Sequence, residues 1–146
     1  DKEDANGNPL VFGGNRFRLS PDHTASLALR FSRTFGQHEF YFTPSMTMQS
    51  KVFFQDDNQA FYAVVDPATG AMLFQVPGLS EDGYALFNLK AGYTFGDSGI
   101  SVEAYVNNIA DKDYLIDAGN TGNSFNIPTF IAGPPRFYGI GLNVRY

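Results

Sequence analysis

The chain has 146 residues and a formal net charge of −5, with 15 phenylalanines, 8 tyrosines and no cysteine. The lack of cysteine excludes a disulfide scaffold and any thiolate metal site. The acidic balance, without a basic stripe, argues against a nucleic-acid partner. No apolar run reaches the roughly 18 residues that a transmembrane helix needs, so no such helix is predicted.

Apolar and polar residues alternate with a period of two along much of the chain, and this pattern predicts strands rather than helices. The polar alternate positions include Lys51, Lys90, Arg30 and Arg145. We assign strands to approximately 23–35, 38–54, 84–95, 99–109 and 136–146. The prediction is an all-β chain with antiparallel strands.

The predicted strands are long and their connections alternate in length. Soluble strands usually run about 5–6 residues, whereas a strand that crosses a bilayer needs about 9–11. Short turns at 36–37 and 96–98 alternate with long loops at 1–22, 55–83 and 110–135. Short turns on one rim and long loops on the other are typical of an outer-membrane β-barrel.

Aromatic residues gather at both ends of the predicted strands, as in the interfacial girdles of a barrel. The short-turn ends carry Phe35, Phe40, Phe42, Tyr93, Phe95 and Tyr146. The long-loop ends carry Phe53, Phe54, Tyr84, Phe137 and Tyr138. The alternative is that these rings close the two ends of a soluble β-sandwich core.

Four segments resemble parts of TonB-dependent receptors: the first resembles a loop that leads into a descending strand, and the other three resemble the final strands. They read GNRFRLSPDH at 14–23, YALFNLKAGYTF at 84–95, SVEAYVNNIADKDY at 101–114 and GPPRFYGIGLNVRY at 133–146. The resemblance covers nearly the whole chain and is most specific in its last 60 or so residues. One departure is Ile109, where leucine is common in the family.

The resemblance implies an active-transport receptor of the Gram-negative outer membrane rather than an enzyme. Family members form 22-stranded barrels around a plug, so the five strands would be the last five of 22. The implied partners are outer-membrane lipid, the N-terminal plug, the remaining barrel strands, the barrel-assembly machinery and the TonB complex. The implied ligand is small and scarce: an iron–siderophore complex, cobalamin or an oligosaccharide.

The last strand also resembles the assembly signal of outer-membrane barrels. That signal combines a terminal aromatic residue with apolar residues at every second position before it. By this resemblance, the signal comprises Tyr138, Ile140, Leu142, Val144 and Tyr146. The alternative is an ordinary amphipathic strand.

Two other architectures remain open from the residues alone. The segments 61–65 and 71–76 flank the turn sequence at 66–70, and with 10–19 they would give eight strands, the minimum for a closed barrel. Such a small barrel would have an adhesion or structural role. We instead expect 61–76 to form a hairpin that projects from the long loop. The other alternative is a soluble β-sandwich binding module.

No catalytic residues, metal site or cofactor site are predicted. The acidic segments 56–58 and 111–113 lack the spacing of a calcium-binding loop. Loop aromatics and cations instead predict part of a ligand-binding surface, although the aromatics could also serve only to pack the loops together. The candidate ligand-binding residues are Arg16, Arg18, Phe61, Tyr62, Tyr114, Phe125 and Phe130.

Overall fold

The computed structural model describes residues 9, 12–119, 127 and 129–145, and these form antiparallel strands with a short 3-10 turn at Gly96–Ser98. The strands are β1 (Thr24–Ala28), β2 (Phe31–Phe35), β3 (His38–Gln49), β4 (Val52–Phe53), β5 (Phe61–Val65), β6 (Met72–Pro77), β7 (Ser80–Glu81), β8 (Tyr84–Thr94), β9 (Ile100–Asn107), β10 (Leu115–Ala118), β11 (Phe130–Ala132) and β12 (Phe137–Val144). Within these described ranges, no helix has the length and apolar character to cross a bilayer. The all-β prediction is confirmed.

The chain divides into two compact units. The sheet unit comprises 22–50, 83–114 and the chain from 132 onward. The loop unit comprises the described residues of 1–21, 51–82 and 115–131. The predicted long strands therefore fall mainly in the first unit, and the predicted long loops mainly in the second.

The sheet unit contains a six-stranded antiparallel sheet in the order β1-β3-β8-β9-β12, with β2 also paired to β3. Its register aligns residues of like polarity across the strands. One row comprises Tyr41, Gly92, Glu103 and Gly141. The next row along the strands comprises Phe42, Ala91, Ala104 and Ile140. Because successive side chains point to opposite faces, the sheet has one polar and one apolar face.

Much of the apolar face of this sheet is exposed. Its exposed residues include Leu27, Phe31, Phe42, Phe87, Leu89 and Leu142, and Ile140 reaches 81% exposure. All hydrophobic residues found buried in the described part of the chain belong to the loop unit. Soluble proteins rarely expose a contiguous apolar surface of this extent. The sheet therefore has the polarity of a membrane wall, which counts against the soluble β-sandwich.

A proline divides the strand predicted at 23–35 into β1 and β2. Both strands keep one register on β3, and the residues between them lie opposite Pro44 and its neighbour. The Leu29 N–H donates to the Pro44 carbonyl at 3.1 Å. Pro44 has no N–H to donate in return, so the ladder is interrupted there without a change of register.

The strand predicted at 38–54 ends earlier, at Gln49. The Ser50 N–H donates to the His23 carbonyl at 2.9 Å, and the His23 N–H donates to the Ser50 hydroxyl at 3.0 Å. These bonds close the ladder between β1 and β3. The chain then enters the loop unit, where β4 pairs with β7. Phe54 is 0% exposed in that unit, so the interfacial role predicted for Phe54 is wrong.

The segment 61–76 forms a hairpin, as the sequence predicts. β5 and β6 pair with each other in a separate two-stranded sheet rather than with the six-stranded one. In their turn, the Asp66 carboxylate accepts bonds from the Thr69 hydroxyl at 2.7 Å and the Ala68 N–H at 2.9 Å. These bonds lower the pKa of Asp66 below its usual value. The pairing does not support the eight-stranded alternative, which needs both strands in the wall.

Candidate functional site

A small hydrophobic core holds the loop unit together. It comprises Val52, Phe54, Leu79 and Ala118, with Tyr62 and Leu115 packed against it. The Phe54 N–H donates to the Leu79 carbonyl at 2.9 Å, and the Gln55 amide donates to the Ala118 carbonyl at 3.1 Å. This core therefore combines residues from the predicted loops 55–83 and 110–135 with Val52 and Phe54, which directly precede the first of these loops. A surface carried by this unit is ordered by packing.

The first long loop is attached to the same unit by backbone hydrogen bonds. The Leu19 N–H donates to the Phe53 carbonyl at 2.8 Å. The Arg16 N–H donates to the Asn58 side-chain oxygen at 2.6 Å, and the Asn58 amide donates back to the Arg16 carbonyl at 2.9 Å. The Arg18 guanidinium lies 3.9 Å from the Asp117 carboxylate. The hydrogen bonds at Arg16 and Leu19 fix the backbone at both ends of the segment that carries the two candidate arginines.

Three of the predicted aromatic ligand-binding residues also belong to the loop unit. Phe61 is exposed at the start of β5, whereas Tyr62 packs against the core. Phe130 lies against Gly78, where an added Cβ would come within 2.6 Å of the Phe130 ring. Tyr62 therefore contributes to packing, whereas Phe61 and Phe130 are both exposed, at 36% and 40%.

Tyr114 lies in the sheet unit rather than in the loop unit. Its ring centroid is 4.6 Å from that of Tyr84, and its carbonyl accepts the Gly133 N–H at 2.8 Å. The ring also fills the space where a Gly133 side chain would lie. The structure thus gives Tyr114 a packing role within the sheet unit. Phe125 lies outside the described residues.

Several further residues of the loop unit expose apolar side chains. Phe17 is 87% exposed between the two candidate arginines. Met72, Leu73 and Phe74 are exposed on β6 of the hairpin. As loop aromatics, Phe17 and Phe74 belong to the class of residues from which the sequence predicts a ligand-binding surface, and both are exposed. They are additional candidates for ligand contact.

A charged cluster lies on the polar face of the sheet. The Tyr41 hydroxyl donates to Glu103, and the Lys90 ammonium lies 2.8 Å from the other Glu103 oxygen. The Arg30 guanidinium stacks 3.8 Å from the centroid of the Tyr41 ring and lies 3.3 Å from Glu39. The sequence places all five residues on the polar side of their strands, but only the register brings them together. Two cations and two anions balance in this cluster.

The segment that carries the family resemblance has a structural role at the end of β9. Asn108 is buried with a left-handed backbone, and its amide donates to the carbonyls of Lys112 at 3.0 Å and Pro134 at 3.3 Å. The Asp111 carboxylate accepts the Arg136 N–H at 2.9 Å and lies 3.3 Å from its guanidinium. These bonds tie the chain leaving β9 to the chain entering β12.

The predicted assembly residues lie along β12. Tyr138, Ile140, Leu142 and Val144 occupy alternate positions of this strand and are all strongly exposed. Tyr146 lies outside the described residues. No group of three or more potential metal ligands occurs among the side chains that the structure describes.

Comparison with known proteins gives one match. A family model described as "TonB dependent receptor-like, beta-barrel" matches residues 1–109. This chain belongs to that family. No curated protein and no solved structure matches it. Members of the family are receptors of the Gram-negative outer membrane that transport ligands rather than catalyse reactions.

Proposed function

We propose that this chain forms the last part of the barrel wall, together with outer loops, of a TonB-dependent receptor. The receptor takes up a scarce ligand such as an iron–siderophore complex. The observation that carries the proposal is the six-stranded sheet, whose exposed apolar face suits lipid and whose polar face suits a hydrated or plugged lumen. The family match supports the same assignment.

The two edges of the sheet support its place within a larger barrel. In the described ranges, β12 pairs on one side only, with β9, and β1 and β2 pair on one side only, with β3. Lipid-exposed sheet edges are not tolerated, because their backbone groups find no water to bond. We assign the strands that complete the wall, and the plug, to other parts of the receptor polypeptide. The five predicted spans would be the last five of 22.

The loop unit supplies the proposed ligand-binding surface. The loop unit supplies cations from Arg16 and Arg18 and exposed rigid rings from Phe17, Phe61, Phe74 and Phe130. This combination suits an anionic or aromatic chelate such as an iron–siderophore complex. In this mechanism the loops and plug capture the ligand outside the cell, and the TonB complex acts on the plug to release it inward. The residues that couple energy would belong to the plug.

The exposed alternating residues of β12, followed by Tyr146, form the proposed signal for the barrel-assembly machinery. Support comes from the register, which places Ile140 and Leu142 on the apolar face opposite Ala104 and Val102 of β9. The same residues would contact lipid after insertion.

Uptake by cells that lack the receptor gene tests the proposed transport function. The probes are radiolabelled iron in hydroxamate and catecholate siderophores, labelled cobalamin and labelled maltooligosaccharides. We expect deletion to remove energy-dependent uptake of one probe class, and loss of TonB to have the same effect. Complementation with the intact gene is the control. Unchanged uptake of every probe, with the receptor abundant in the outer membrane of the parent strain, would contradict the assignment to these ligands.

A further inference from the structure

One cross-strand row on the polar face joins three adjacent strands through a tyrosine. Tyr41 of β3 opposes Gly92 of β8, and Gly92 opposes Glu103 of β9. The Tyr41 ring lies over Gly92, where an added Cβ would come 2.6 Å from its hydroxyl oxygen. The hydroxyl then reaches across β8 and donates to Glu103. Glycine at the middle position is what allows the ring to lie across the strand.

The same arrangement recurs one strand further along the sheet. Tyr105 of β9 opposes Gly139 of β12, and a Cβ on Gly139 would again lie 2.6 Å from the tyrosine hydroxyl oxygen. The Tyr105 ring therefore crosses β12 as the Tyr41 ring crosses β8. Within the described ranges, β12 has no strand on its far side, and the Tyr105 hydroxyl donates to no protein acceptor.

We propose that the strand pairing with the free edge of β12 carries an aspartate or glutamate opposite Gly139, and that this carboxylate accepts the Tyr105 hydroxyl. The inference rests on the proposed place of this chain in a closed barrel and adds the chemistry that recognises the closing strand. Tyr105 and Gly139 form one side of the junction between β12 and the closing strand, and the carboxylate forms the other side.

This contact would fix the register between β12 and the closing strand. A slip of one residue turns the carboxylate to the opposite face of the sheet, because side chains alternate. A slip of two residues moves it by about 7 Å along the strand, beyond hydrogen-bond reach. The register of β12 would therefore be fixed by a side-chain hydrogen bond as well as by its backbone hydrogen bonds.

The first test removes single hydroxyl groups from the intact receptor in outer membranes. Tyr105→Phe is compared with Tyr41→Phe, whose acceptor is Glu103, and with Tyr93→Phe on the apolar face. We expect Tyr105→Phe to lower the temperature at which the barrel loses its folded mobility in detergent gels, as Tyr41→Phe does, with no shift for Tyr93→Phe. An unchanged midpoint for Tyr105→Phe alongside a lowered midpoint for Tyr41→Phe would overturn the proposal.

The second test identifies the acceptor directly. The photoreactive residue p-azidophenylalanine is placed at position 105 of the intact receptor, and crosslinked peptides are sequenced by mass spectrometry. We expect capture of a peptide from an earlier strand of the same polypeptide, at or beside an aspartate or glutamate. The same probe at position 41 should capture the β9 peptide that contains Glu103.

Three results would overturn the proposal: capture within β3 or β8, capture of another polypeptide, or capture of a strand without a carboxylate at the site. Fractionation of the same cells separates this failure from failure of the proposed function. Absence of the receptor from the outer membrane would refute the proposed function, whichever peptide is captured.

Discussion

Replacing Phe54 with alanine is expected to loosen the loop unit and to abolish ligand uptake, while the receptor still reaches the outer membrane. Phe54 is 0% exposed and belongs to a core that contains four buried hydrophobic residues among those that the structure describes. Truncating a buried phenylalanine to alanine usually costs about 3–5 kcal/mol. We therefore expect proteases added to intact cells to cleave the loops.

Phe17→Ala is the matched control, because Phe17 is a loop-unit phenylalanine that is 87% exposed. It should leave protease resistance unchanged. Uptake with Phe17→Ala then reports on ligand contact, without the effect on folding. Equal protease resistance of Phe54→Ala and the unaltered receptor would contradict a packing role for the loop core.

The second large effect is expected for Gly99→Ala, at the turn before β9. Gly99 has a left-handed backbone with φ of 70°, and its added Cβ would overlap the carbonyl oxygen of Arg145. The Gly99 carbonyl accepts the Arg145 N–H at 2.8 Å, so the two backbones are held together. The variant must separate the start of β9 from the end of β12. We expect a clearly lower thermal midpoint of the barrel in detergent.

Gly70→Ala provides a control for the backbone strain alone. Gly70 has the same φ of 70°, and nothing lies within 4 Å of its added Cβ. A left-handed alanine costs about 1–2 kcal/mol, and Gly70→Ala should show only that strain, at the hairpin turn. Gly99→Ala should lower the thermal midpoint further than Gly70→Ala does. If Gly99→Ala left the midpoint as high as Gly70→Ala does, the close approach at Arg145 would be refuted.

The faces of the sheet could be predicted from the sequence because side-chain direction in a strand has a period of two. Alternation assigns Tyr41, Lys90 and Glu103 to polar positions without any knowledge of their neighbours. It does not give the register, which depends on the pairing of separate strands. The contact of Tyr41 with Glu103 across Gly92 therefore emerges only from the structure.

The ends of the strands were less predictable, because alternation continues after the ladder has stopped. Val52 fits the apolar series of β3 and yet is buried in the loop core. Pro44 interrupts the neighbouring ladder by lacking one N–H, although the apolar pattern of 23–35 shows no break. The alternation of apolar and polar residues predicts which face of the sheet a residue lies on. The end of β3 and the interruption at Pro44 depend instead on hydrogen-bond partners that are distant in the sequence.

The candidate site was predictable by residue type but not by role. Sequence analysis selected loop aromatics and cations, and the structure gathers Arg16, Arg18, Phe61, Tyr62 and Phe130 into one unit. It also separates accessible rings from packing rings. That distinction depends on burial, which is set by contacts between loops far apart in sequence.

Cysteine labelling along β12 tests most directly whether this sheet is a membrane wall. The chain has no cysteine, so each variant adds a single thiol to it. Ile140→Cys and Leu142→Cys lie on the apolar face, and Gly141→Cys and Asn143→Cys lie on the polar face. In outer membranes we predict that a lipid-soluble reagent labels the first pair, and that a water-soluble maleimide with access to the lumen labels the second. Equal maleimide labelling at all four positions would contradict the account.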